Sequence, residues 1–126
     1  MILRRRIYLV LLILWVGFTF ILTSIPNPEI ELPLPYSDKI AHFGFYGVMG
    51  FLCAMWRRAS GGTKRSAALA GLIFVAIAGA MDEGHQRWIP GRSMAVSDWI
   101  ADTAGGGFGA LCSAVLPSLV PFLLTE

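Results

Sequence analysis

Between Ile7 and Ser24 the chain reads IYLVLLILWVGFTFILTS, without a single charged residue. A helix built from this run has no polar face, and a surface helix of a soluble domain needs one. Its length approaches the roughly 20 apolar residues that carry a helix across a hydrocarbon core of about 30 Å. Arg4, Arg5 and Arg6 precede it, as in a secretory leader. The following FILTSIPNP holds no small-x-small cleavage pattern, and the run is long for a leader's apolar region, so an uncleaved first helix is expected.

Three further stretches, 38–56, 66–86 and 98–116, have the length of a span, each with ionisable groups at one end. The last extends toward 124 only through Pro117 and Pro121, which are expected to kink or end it. Composition agrees with a membrane setting: 56% of the 126 residues are hydrophobic and 14% charged, against about 25% charged in ordinary soluble domains. The expected fold is all-α, an integral membrane four-helix bundle forming one domain over 1–126. Cys53 and Cys112 fall inside two of the spans, with no metal spacing, and read as packing residues.

Four spans put both termini on one side. That side carries Arg4, Arg5, Arg6, Arg57, Arg58, Lys64 and Arg65, seven of the ten basic residues. The excess of positive charge predicts that both termini of a multi-pass membrane protein are cytoplasmic. Of the eight acidic residues, all but Glu126 fall on the opposite, extracytoplasmic side. There IPNPEIELPLPY (25–36) reads as a stiff extended loop and RWIPGRSMAV (87–96) as a Pro-Gly turn. Tyr36, Trp88 and Trp99 read as an interfacial aromatic belt.

Two echoing segments, SDKIAH at 37–42 and SDWIAD at 97–102, open the second and fourth spans. Each follows an Ile-Pro loop, which suggests a tandem two-helix repeat about an axis along the membrane normal. Ser37-Asp38 and Ser97-Asp98 suit helix starts, where a serine caps and an aspartate meets the positive end of the dipole. Capping does not explain His42 or Asp102, which lie a turn deeper, nor Asp82 and Glu83, which sit at a helix C-terminus that disfavours them.

Asp38 with His42, Asp82 with Gln86 and Asp98 with Asp102 are each four residues apart, which places both members on one helix face. Glu83 and His85 flank the middle pair. Ionised groups are costly in lipid and should turn toward the bundle interior or water. Turned inward, the three faces form one outward cup, with Arg92 in the adjoining loop placed to close over it. Gly105 and Gly109 on the last helix, and Gly44, Gly47 and Gly50 on the second, read as small residues that let helix backbones approach.

These residues carry a resemblance. DKIAHFGFYGVMGFL followed by DEGHQRWIPGRSMAVSDWIADTAGGGFGAL resembles the VanZ-like family of small bacterial membrane proteins. The match runs through Asp38, Lys39, His42 and Phe43, then Asp82, Glu83, Gln86, Pro90, Arg92, Asp98 and Gly105. Asp102 stands where the family pattern has asparagine, a departure that adds a carboxylate. The resemblance implies a multi-pass cell-envelope protein of the bacterial cytoplasmic (inner) membrane, from a family associated with teicoplanin and other glycopeptide resistance.

Two functions from different classes fit the cup. In the first it binds a lipid-linked or phosphorylated headgroup, a cell-wall precursor or another membrane protein, with Asp38, Lys39, Gln86, Arg92 and Asp102 as binding groups. In the second it is a hydrolase or transferase acting on a phosphorylated lipid, with His42, Asp82, Glu83 and Asp98 as catalytic groups and a divalent cation as a candidate cofactor. No nucleophile elbow or Gly-rich phosphate loop supports a particular enzyme class. Ion translocation is disfavoured because the inner halves of the helices offer no polar path. Membrane lipids are the expected partners, and no nucleic acid is.

Overall fold

The structure is a computed structural model describing residues 2–26 and 37–119. Most of the proline-rich loop, with Tyr36, Pro121 and Glu126, lies outside the described residues. The chain forms four α-helices, with no strand among the described residues: α1 (Ile2–Thr23), α2 (Ser37–Ala59), α3 (Lys64–Gln86) and α4 (Val96–Leu119).

Local chemistry sets the helix ends. At the end of α1, Ser24 returns its amide (3.1 Å) and hydroxyl (2.7 Å) to Phe20 O, and Pro26 follows. The α2–α3 connection is a Schellman turn. Gly61 takes a left-handed φ of 89°, its amide donates to Arg58 O at 3.0 Å, and the Gly62 amide donates to Arg57 O at 2.9 Å. Arg57 and Arg58 in the last turn of α2 also favour its negative end. Thr63 then caps α3, accepting from Ser66 N at 3.1 Å. Helix α4 begins at Val96, so Ser97 lies inside its first turn rather than ahead of it.

Helices α2, α3 and α4 pack against one another, while α1 lies against α2, only touches α3 and makes no contact with α4 among the described residues. The bundle is therefore three helices with a fourth strapped to one side. Contacts between α2 and α4 advance together, from Lys39–Asp98 through His42–Asp102 to Arg58–Ser113, so these two helices are parallel. Their middle is a backbone-to-backbone crossing. A Cβ on Gly50 would overlap Gly106, one on Gly105 would overlap Phe43 O, and one on Gly109 would overlap Gly47 O. Gly44, expected to share this packing, meets nothing within 4 Å.

Pro117 neither ends nor interrupts α4, which runs through it to Leu119. A proline has no N–H for the carbonyl four residues back, here Ser113 O. The Arg58 guanidinium donates to that carbonyl in its place.

Helices α1 and α3 are long and apolar enough to cross a membrane. Helices α2 and α4 do not meet the same measure. They carry Asp38, Lys39 and His42, and Asp98 and Asp102, in their first turns, and spend interior positions on glycine. Large apolar side chains such as Ile13, Leu14, Ile73, Ile77 and Leu111 stand exposed around the bundle, as hydrocarbon solvent allows.

Candidate functional site

The first turns of α2 and α4 meet the last turns of α1 and α3 at one end of the bundle. Because α2 and α4 are parallel, their first turns lie side by side, with Lys39 and His42 of one against Asp98 and Asp102 of the other. His42 Nδ1 and Asp102 Oδ1 are 2.6 Å apart, and Asp102 is fully buried. Lys39 bonds Asp98 Oδ1 and Asp38 Oδ2, the latter at 2.8 Å. On the other side of the imidazole, His42 Nε2 lies 3.9 Å from Asp98 Oδ2.

Helix α3 supplies a third wall. Glu83 is buried, and its Oε2 accepts from Ala95 N at 3.0 Å, which ties the α3–α4 connection to the site. One ligand-type atom from each of His42, Glu83 and Asp98 falls within 4.8 Å of the other two. Among the described residues, five buried side-chain atoms have no hydrogen-bond partner: Thr19 Oγ1, Glu83 Oε1, Gln86 Nε2, Asp102 Oδ2 and Thr103 Oγ1.

Other expected members are placed differently. Asp82 is buried, but both its oxygens are taken, Oδ1 by Thr23 at 2.6 Å and Oδ2 by Tyr46 at 2.8 Å. It ties α1, α2 and α3 together. Asp38, with a side chain 64% exposed, points outward and shares only Lys39. Arg92 does not close over the carboxylates. Its Nε donates to Ile25 O at 3.1 Å and its Nη2 to Leu22 O at 3.4 Å, neutralising the exposed carbonyls at the end of α1. It nevertheless lines, with His42, Thr19 and Tyr46, a cavity of about 130 Å³. Trp99, expected at the interface, instead donates from Nε1 to Ala76 O at 2.9 Å, whereas Trp88 stays exposed. His85 lies tilted by 30° against Phe20 with centroids 4.7 Å apart and meets Ser24 Oγ at 3.2 Å.

Tyr46 is a site residue that the sequence reading missed. Its ring is parallel to that of His42, 6.4 Å away, while its hydroxyl holds Asp82. The signal was present, since Tyr46 follows His42 by four residues on the face already singled out. Thr23, which also holds Asp82, carried no such signal, because only the fold brings the end of α1 to α3.

The all-helical chain, with two helices long and apolar enough to cross a membrane, has the makeup of a membrane protein and carries a His–carboxylate cluster at one end of its bundle. The chain matches the VanZ/LLP1 family over residues 8–117, and it belongs to that family. No curated protein and no solved structure compared with the chain matches it.

Proposed function

We propose that the protein is a multi-pass component of the cytoplasmic membrane whose polar end faces outward and binds the phosphorylated headgroup of a lipid or a lipid-linked cell-wall precursor. The observation that carries this reading is the pair of donors at this end, Lys39 Nζ beside Asp38 and Asp98 and the buried, unpartnered Gln86 Nε2. A buried donor left unpaired costs about 1–3 kcal/mol, which a phosphate oxygen would offset, while the unpartnered carboxylate oxygens Glu83 Oε1 and Asp102 Oδ2 call for a donor or a cation brought with the guest. Lys39, half-buried between Asp38 and Asp98, is the cation nearest a phosphate held there. The basic residues at the opposite end support the outward orientation.

Native mass spectrometry of the purified protein tests the reading with phosphatidylglycerol, undecaprenyl phosphate and neutral diacylglycerol as probes. The two phosphorylated lipids are retained and diacylglycerol is not, and Lys39→Gln weakens retention. Equal retention of the neutral lipid overturns the reading. Altered glycopeptide susceptibility on deletion would follow from binding of a cell-wall precursor.

The second reading is hydrolysis or transfer at the same phosphate, favoured by the His42–Asp102 pair. A carboxylate on Nδ1 fixes one tautomer and leaves Nε2 as a base or ligand. Release of inorganic phosphate or headgroup by wild type, absent in His42→Ala, distinguishes turnover from binding.

A further inference from the structure

We infer that His42, Glu83 and Asp98 form a site for one divalent first-row transition ion, with Asp102 as the residue that positions His42. The inference deepens the headgroup reading and rests on it for the ion's outer ligand. The three protein ligands stand on their own geometry.

The ligands come one each from α2, α3 and α4, and the three side chains share a pattern. In each, one polar atom is anchored by a neighbour and the other is left. His42 is held at Nδ1 by Asp102, leaving Nε2. Glu83 is held at Oε2 by the Ala95 amide, leaving Oε1 buried and unpartnered. Asp98 is held at Oδ1 by Lys39, leaving Oδ2 3.9 Å from His42 Nε2. Anchoring of the distal atom is how outer-shell groups orient metal ligands, and the carboxylate–histidine pair is its commonest form. Ligand atoms about 2.1 Å from one ion stand roughly 3–3.5 Å apart. The observed separations of up to 4.8 Å close to that range by small side-chain rotations.

Charge points the same way. Asp82, Glu83, Asp98 and Asp102 bring four carboxylates to one end of the bundle, three of them buried. Against them Lys39 is the cation in direct contact, and it is shared with Asp38. Arg92 is committed to α1 carbonyls. Uncompensated carboxylates beside lipid cost several kcal/mol, and a divalent ion offsets two charges at once. One imidazole with two carboxylates and no thiolate suits Zn²⁺ or Mn²⁺ rather than Mg²⁺ or Ca²⁺. Three protein ligands leave a coordination position for a water or a phosphate oxygen. In that arrangement His42 is a ligand and not a general base, which moves the base of any hydrolysis onto an ion-bound water.

The test is calorimetric titration of the full-length protein, in detergent and stripped with EDTA, against ZnCl₂, MnCl₂ and MgCl₂. One Zn²⁺ or Mn²⁺ binds per chain, with Mg²⁺ much weaker. Glu83→Gln and Asp98→Asn each lower the affinity at least about tenfold, and Asp102→Asn lowers it about 10–100-fold through the outer shell. Bound Co²⁺ gives a visible spectrum that loses its imidazole contribution in His42→Gln but only shifts in Asp102→Asn, which a purely structural role for Asp102 would not produce. Cys112→Ala binds as wild type, and all variants are compared at matched thermal stability. No binding by folded protein, or undiminished binding in both carboxylate variants, overturns the inference, as does loss of the ion in Cys112→Ala. The two readings separate in the lipid experiment. An ion bound without preference for phosphorylated lipid defeats the headgroup reading alone, and phosphorylated lipid retained by a protein that binds no ion defeats the ion site alone.

Discussion

Helix α2 holds two neighbours by opposite means. Toward α4 it presents glycine backbone to glycine backbone, with Lys39 and His42 fastening one end of the contact and Arg58 the other. Toward α1 it presents side chains. Trp15 stacks on Phe45 with centroids 5.4 Å apart, and its Nε1 donates to Phe45 O at 2.8 Å. Lipid removes most of the hydrophobic drive between helices, so association depends on close packing and interhelical hydrogen bonds. The α2–α4 contact uses both, close packing at its middle and hydrogen bonds at its two ends. The α1–α2 contact is looser, and on α1 only Tyr8, Leu12 and Thr19 are buried. A helix can thus be the most apolar in the chain and the least integrated. Hydropathy says which helix enters the bilayer, and small or polar residues say which helix enters the bundle.

The comparison breaks most visibly at Gly50. A valine there places its Cβ against the Gly106 backbone, which has no side chain that can rotate away. Overpacking of this kind costs on the order of 3 kcal/mol or more, and the two helices have to part. Gly50→Val is expected to lose cooperative thermal unfolding in detergent. The equivalent change at Gly17 on α1, which meets nothing within 4 Å, leaves the midpoint unchanged. Equal sensitivity at the two positions would contradict the distinction between core and strap.

That contrast also marks what was legible in the sequence. Four helices and the polar cluster could be read because i, i+4 spacing survives any arrangement of the helices, and charges in lipid have few places to go. The meeting of Asp38-to-His42 with Asp98-to-Asp102 followed from two similar helix starts. Neighbour choice was not legible. An all-round apolar α1 fits any position in a bundle, so its place against α2, touching α3, had no sequence signal. Arg92 was misread for a related reason. A loop arginine near carboxylates is drawn equally to the carbonyls at the end of a helix, and only the fold showed that α1 ends beside it. Gly44 continued a helical glycine pattern yet fell on an open face, because a stripe of small residues does not say how far along it the crossing extends.

Arg58 sharpens the far end of the α2–α4 contact. Replacing it with methionine keeps an apolar stem but leaves Ser113 O without a donor, since Pro117 has none to give. A bond from a charged donor is worth about 1.5–3 kcal/mol, so Arg58→Met is expected to cost about 2 kcal/mol in reversible unfolding. Restoring the helical donor with Pro117→Ala should recover most of that loss. If the double variant remains as unstable as Arg58→Met, the guanidinium has another role there.

On the strap side the expected effect is smaller. Trp15→Phe keeps an aromatic ring beside Phe45 and deletes one hydrogen bond, a change of about 0.6–1.7 kcal/mol inside a membrane. The loss should be local. Hydrogen exchange is expected to rise in α1 while protection in α2, α3 and α4 stays unchanged. Uniform loss of protection across all four helices would make α1 part of the cooperative core.

The smallest effect is expected at Thr19, and it bears on both halves of the comparison. Its side chain is buried on α1, its hydroxyl has no partner, and it lines both the 130 Å³ cavity beside His42 and a larger one of about 470 Å³ walled by α1, α2 and α3. Valine has nearly the same shape, and it removes the desolvation cost of an unpaired buried hydroxyl without removing a bond. Thr19→Val should therefore not lower the unfolding midpoint and is expected to raise stability by up to about 1 kcal/mol. If the strap only shields the core, lipid retention is also unchanged. If α1 contributes a polar group to the guest, retention of phosphorylated lipid falls without loss of stability, and the loosely held helix becomes one wall of the binding site.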